Sequence, residues 1–228
     1  MTLKYDKHLT LDFGDEALVY NELGLKPDLR NNNVSVICDL AILKKYSNGD
    51  KISIGIEIKS DKDNVARLDK QLEAYKKYFD YVYVVVTSKN IEGVVKKAGS
   101  TVGIILYEKE GQYKIIQTAK QIHSKESGRY WGKLLWLEEL HEEFHRLKVD
   151  YKKNPLMRYK NQKVNKFNSL YLKQVRGISD YTSTKHRVYE LLNQRVEDEL
   201  KGKVKTKNAW GRVIFKDENY TEIKSGKE

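Results

Sequence analysis

The stretch Ile52–Ser60 reads I-S-I-G-I-E-I-K-S and constrains the fold more than any other. Ile52, Ile54, Ile56 and Ile58 alternate with Ser53, Gly55, Glu57 and Lys59. That period of two is the signature of a β-strand with one apolar face and one functional face. Glu57 and Lys59 are two apart, so they project from the same side. A carboxylate beside an ammonium at a strand end suits a metal ion and an activated water.

The neighbouring segments build a sheet around that strand. Val34 to Leu43 is almost continuously apolar, as in a buried central strand, with Asp39 as the exception. Ser47-Asn48-Gly49-Asp50 carries the Asn-Gly hairpin signal, so the two strands are expected to pair antiparallel, bringing Asp39 towards Glu57. Asp61 and Asp63 are N-cap candidates for a helix running to about Tyr78, with Val65, Leu68, Leu72 and Tyr75 as its buried stripe. Strands are expected at Tyr81–Thr87, Val102–Tyr107 and Tyr113–Thr118, with a short helix at Ile91–Ala98. Upstream, residues 1–12 read as an irregular arm. A helix is expected from Asp12–Asp15 to Leu23, ended by Gly24. Lys26 to Asn33 reads as a loop. The order is α-β-β-α-β-α-β-β, a mixed α/β sheet flanked by helices.

From Lys125 the pattern turns helical. Leu134, Leu135, Leu137, Leu140 and Phe144 form one apolar stripe, and Tyr181 to Leu200 another amphipathic helix. The organisation expected is a core at 1–122, a basic helical extension at 123–201 and a polar tail at 202–228, with order only around Trp210 to Phe215. Charge is uneven: the net charge is +11, with 19 basic and 17 acidic residues in 1–120 against 24 and 15 in 121–228. A basic lobe beside a near-neutral one points to a polyanion partner, most often nucleic acid. Residues 151–179 hold Lys152, Lys153, Arg158, Lys160, Lys163, Lys166, Lys173 and Arg176 and no acid. Tyr151, Tyr159, Phe167 and Tyr171 lie among them, so phosphate contacts and base stacking are both expected. The single cysteine, Cys38, excludes an intramolecular disulfide and a Cys-rich zinc site. No apolar run reaches the length of a membrane span and no signal-peptide pattern is present, so a cytoplasmic, membrane-free setting is expected.

Asp39, Glu57 and Lys59 are the candidate chemistry. Paired carboxylates repel one another unless a cation lies between them, and hard oxygen ligands suit Mg²⁺ or Mn²⁺. The Ile58 carbonyl would add a ligand. Such an ion lowers the pKa of a bound water and stabilises charge on a phosphate. Lys59 would orient that water and offset the phosphate charge. His141-Glu142-Glu143-Phe144-His145 matches H-E-x-x-H, the pattern of a zinc protease. Its helix carries a Leu/Phe packing stripe and has no evident third ligand.

Asp39, then Glu57-Ile58-Lys59, followed by a helix, resembles the PD-(D/E)XK nuclease superfamily. Gln71-Leu72-Glu73-Ala74-Tyr75 is similar to the Q-x-x-x-Y motif of its RecB-like branch. The wider stretch is similar to nuclease-like proteins of phages and bacteria. The likeness covers about residues 12–147 and is strongest at 52–88. It implies a restriction-endonuclease-like α-β-β-α-β core and Mg²⁺- or Mn²⁺-dependent hydrolysis of phosphodiesters, in DNA rather than RNA. Asp39, Glu57, Lys59, Gln71 and Tyr75 would be catalytic. Glu16, Asp39, Glu57 and Ile58 would hold the metal, with Glu22 the alternative to Glu16 as the first-helix acid. The alternative function is a non-catalytic nucleic-acid-binding protein on the same fold. A protein partner or homo-oligomer is compatible with either.

Overall fold

The computed structural model describes residues 9, 16–25, 36–109, 112–122, 130–131, 134–135, 137–146, 187–195, 212–216 and 219–223. Ile52 to Lys59 is strand, as its alternation requires: β3 spans Lys51–Lys59. It pairs antiparallel with β2 (Val36–Lys45), from Leu40 opposite Ile56 to Lys45 opposite Lys51. The hairpin turn is pinned by Asn48, whose side chain accepts the Asp50 N–H at 3.0 Å, and by Gly49 at φ +90°.

The first described element is a correction. Residues expected as a helix to Leu23 form strand β1, Glu16–Leu25. Ala17, Leu18, Val19 and Tyr20 are all buried, so both faces of this segment are covered, which an amphipathic helix would not allow. An apolar run this short fits helix and strand equally, and pairing with β2 and with a strand at Arg212–Lys216 decides it.

After β3 the chain crosses over through α1 (Leu68–Tyr78) to β4 (Tyr81–Val86), which pairs parallel with β3. A 3₁₀ turn (Ser88–Asn90) and α2 (Ile91–Ala98) lead to β5 (Gly103–Lys109), parallel to β4. β6 (Gln112–Gln117) returns antiparallel. The protein is therefore a mixed α/β sheet flanked by helices. Asp61 and Asp63 do not cap α1. Its N-cap is Arg67, without a side-chain cap bond, and Asp63 instead takes the Ser60 N–H and hydroxyl at 2.8 and 2.6 Å. The segment expected as a polar tail adds β7 (Arg212–Lys216) and β8 (Asn219–Ile223), giving the order β6-β5-β4-β3-β2-β1-β7-β8.

The two faces of β3 separate core from chemistry. Ile52, Ile54 and Ile56 pack with Tyr81, Tyr83 and Ile105 on one face. The other face carries Ser53, Gly55, Glu57 and Lys59 and lies under α1. A Cβ on Gly55 would stand 2.2 Å from the Phe79 ring, so only glycine lets that ring lie on the strand. Ser53 N–H and hydroxyl donate to the Asp80 carboxylate at 2.7 and 2.8 Å, tying the end of α1 to β3.

The chain divides into two units, Met1–Ser124 with Thr206–Glu228, and Lys125–Lys205. In the second, α3 (Leu137–Arg146) and α4 (187–195) are joined by charge. Glu143 accepts from Arg187 at 2.5 Å and Arg146 at 2.8 Å, and Glu139 pairs with Arg195. Trp131, Leu135, Phe144 and Val188 are buried in this unit. No helix among the described residues is long and apolar enough to cross a membrane.

Candidate functional site

The β2–β3 ladder ends with Leu40 opposite Ile56, and Asp39 and Glu57 are the next residues on their strands. There the main-chain ladder gives way to a side chain. The Asp39 carboxylate accepts the Ile58 N–H at 2.7 Å, which seats it against β3 between Glu57 and Lys59. Glu57 is 1% exposed, and its carboxylate meets three donors. The Lys59 ammonium and the Gln71 amide reach Oε1, and the Tyr75 hydroxyl donates to Oε2 at 2.5 Å. Gln71 and Tyr75 are one turn apart on α1, so one helix face closes over both strands. Tyr75 also accepts the Asp39 N–H at 3.2 Å and lies 3.2 Å from the Ile37 carbonyl.

The electrostatics follow from burial. Burial pushes the Asp39 carboxyl above its ordinary value. The Ile58 N–H opposes that, Glu57 adds to it, and Lys59 opposes it. Burial, then Cys38 and Glu57, push the Tyr75 phenol upward, so it stays protonated and a donor. Burial likewise holds Cys38 as a thiol; its Sγ lies 3.1 Å from the Leu40 carbonyl.

Among the described residues, the buried Gln71 Oε1 has no hydrogen-bond partner. Flipping the amide would turn that oxygen onto Glu57, so the assignment is fixed by the network. A buried acceptor without a donor calls for water or a cation. Two carboxylates, one of them with its charge disfavoured by its surroundings, and the Gln71 amide oxygen fit a hard divalent cation. Among the described residues no group of three or more His, Cys, Asp and Glu side chains converges.

Asp39, Glu57, Ile58, Lys59, Gln71 and Tyr75 are thus brought together. Glu16 is not. It sits on β1 opposite Lys45, with which it makes an ion pair of 3.6 Å. That is the far end of β2 from Asp39, roughly 20 Å at about 3.3 Å per residue. Glu22, also on β1 rather than on a helix, stands level with Asp39. Asn21 opposes Leu40 and Leu23 opposes Cys38, while Glu22 itself is exposed, with left-handed backbone at φ +53°. The basic residues Lys152, Lys153, Arg158, Lys160, Lys163, Lys166, Lys173 and Arg176 lie outside the described residues. In the His141–His145 motif, Glu143 is committed to Arg146 and Arg187. Burial raises its carboxyl, but those guanidinium hydrogen bonds outweigh that and hold it below its ordinary value. Sequence reasoning missed the Ser53–Asp80 clamp. Ser53 lies on the polar side of the β3 alternation, but nothing local links it to Asp80.

A family model described as Bacteriophage P4 protein cII matches residues 10–201. Protein cII of Enterobacteria phage P4 is 35% identical over 82 residues, covering 35% of this chain and 31% of that protein. The match therefore spans about a third of that relative's length. No solved structure matches.

Proposed function

We propose that this chain, which belongs to the bacteriophage P4 protein cII family, is a Mg²⁺- or Mn²⁺-dependent nuclease that hydrolyses phosphodiester bonds in DNA inside the cell. The observation that carries the reading is Asp39 seated on the Ile58 N–H beside Glu57, with the Lys59 ammonium on Glu57 and the Gln71 oxygen without a partner among the described residues. Asp39, Glu57 and the Ile58 carbonyl would hold the cation. When bound, it supplies neutralisation of phosphate charge and acidification of water. Lys59 offsets charge on the phosphate and orients the attacking water. Tyr75 and Gln71 fix the Glu57 carboxylate, and α1 excludes bulk water from the buried side of the site.

The test is cleavage of supercoiled, linear and single-stranded DNA in Mn²⁺ by wild type, Asp39→Ala and Lys59→Ala. The reading expects cleavage by wild type and losses of about a hundredfold or more in both variants. Equal activity in all three rejects it.

One observation favours a non-catalytic nucleic-acid-binding protein: Glu57 is already satisfied by Lys59, Gln71 and Tyr75. Calorimetry with Mn²⁺ separates the two. Heat of binding that disappears in Asp39→Ala supports the nuclease; no heat with wild type supports the binding module.

A further inference from the structure

The stretch Ser60–Gln71 joins the end of β3 to the first turn of α1 and sorts its charges. Each of its acids is held by the protein's own donors. Asp61 takes the Thr87 hydroxyl at 2.5 Å, Asp63 takes Ser60, and Asp69 takes the Lys97 ammonium. The cations of the stretch are exposed and make no side-chain bond among the described residues: Lys62, Arg67 and Lys70. Position gives the three a direction. β3 and β4 run parallel, and their carboxyl ends are where open α/β sheets place ligands. Lys62 follows Lys59 at that end. The Arg67 carbonyl accepts the Gln71 N–H at 3.1 Å, so Arg67 stands one helical turn, about 5 Å, outward from the residue that touches Glu57. Lys70 lies on that same turn. The loop itself is anchored: Asn90 donates to the Ser60 and Asp63 carbonyls at 2.7 and 3.1 Å, and Lys89 to the Asp61 carbonyl at 2.6 Å.

We infer that Lys62, Arg67 and Lys70 form a phosphate clamp at the mouth of the site, gripping the backbone of a nucleic-acid strand and directing it towards Asp39 and Glu57. It rests on the nuclease reading for its destination, and on the charge sorting for its existence. The clamp is distinct from the basic segment at 151–179. Its ligands are successive phosphates, with no base read, because cations on a loop and helix turn meet the backbone before any base edge. Arg67 offers the planar fork suited to phosphate oxygens, and the two lysines act as point charges.

The experiment is fluorescence anisotropy with a labelled 20-nucleotide single strand and its duplex, in EDTA, over a salt series. The full chain is compared with Lys62→Ala/Arg67→Ala/Lys70→Ala. A control, Lys96→Ala/Lys109→Ala/Lys120→Ala, removes the same charge elsewhere on the surface. The clamp predicts at least tenfold weaker binding for the first variant at low salt. The slope of log affinity on log salt should fall by about 0.9 for each duplex phosphate no longer gripped, and by about 0.7 on single strands. The control should stay within twofold of wild type. In Mn²⁺ cleavage, KM should rise more than kcat falls. Equal effects of both triple variants, wild-type affinity in the clamp variant, or no DNA binding by wild type each overturn the clamp. Because binding is read without metal, a failed Asp39→Ala cleavage control rejects the nuclease reading alone.

Discussion

The Tyr75 hydroxyl joins Asp39 to Glu57 across the β2–β3 hairpin: it accepts the Asp39 N–H and donates to Glu57 Oε2. One phenol on α1 thereby sets the spacing of two acids that come from different strands. Neighbouring like charges are costly unless donors or a cation compensate, and the site supplies side-chain donors to Glu57 and the Ile58 N–H to Asp39, whose burial adds to the cost of its charge.

Tyr75→Phe removes that hydroxyl and leaves Glu57 Oε2 without its short donor. A loss of about 1–3 kcal/mol in stability is expected, measured by urea unfolding, together with reduced Mn²⁺-dependent cleavage. Unchanged stability and cleavage would show that the hydroxyl organises neither acid.

Gly55→Ala places a methyl 2.2 Å from the buried Phe79 ring. Phe79 directly follows α1, so displacing it also moves Gln71 and Tyr75. The expected cost is about 1–3 kcal/mol, with cleavage lowered. Among the described residues Gly24→Ala meets nothing within 4 Å, and it should lie within about 0.5 kcal/mol of wild type. Unfolding curves of the two variants check the contrast.

Mn²⁺ should stabilise wild type against unfolding by about 2.7 kcal/mol at a hundred times its dissociation constant, and leave Asp39→Asn/Glu57→Gln unmoved. On the proposed reading binding needs the Asp39 carboxylate, whose raised pKa keeps it protonated to higher pH than a free acid. Affinity therefore weakens as pH falls through the carboxylate range, which calorimetry at several pH values reads directly.

In the second unit the sign of the pH dependence is opposite to that of a buried lone acid. Glu143 is held below its ordinary value near 4.5, burial being outweighed by Arg187 and Arg146. Its contribution is fully present above the unfolded value and is lost as pH falls through the folded one. Glu143→Gln should lose about 2 kcal/mol at neutral pH, with the gap to wild type closing in acid. Chemical unfolding at neutral and acid pH tests this.

The hairpin and its acids were legible because their signals are local. Four isoleucines alternating with Ser, Gly, Glu and Lys fix β3, and Asn48-Gly49 fixes its partner. Gln71 and Tyr75 follow at helical spacing. β1 was not legible, because Leu18, Val19 and Leu23 suit a helix as well as a strand, and only pairing with β2 and β7 settles the matter. Asp61 and Asp63 look like caps in sequence, but Thr87 and Ser60 compete for them in three dimensions. The Ser53–Asp80 clamp spans 27 positions, beyond any local pattern. The same holds for the charge pairing of Glu139 and Glu143 with Arg195 and Arg187.

On the proposed reading Asp39 and Glu57 share one divalent cation. A crystal grown with Mn²⁺ and measured at an anomalous wavelength tests it most directly. The account predicts one anomalous peak within coordination distance of carboxylate oxygens from both residues. A peak bound to neither, or no peak at saturating Mn²⁺, would contradict it.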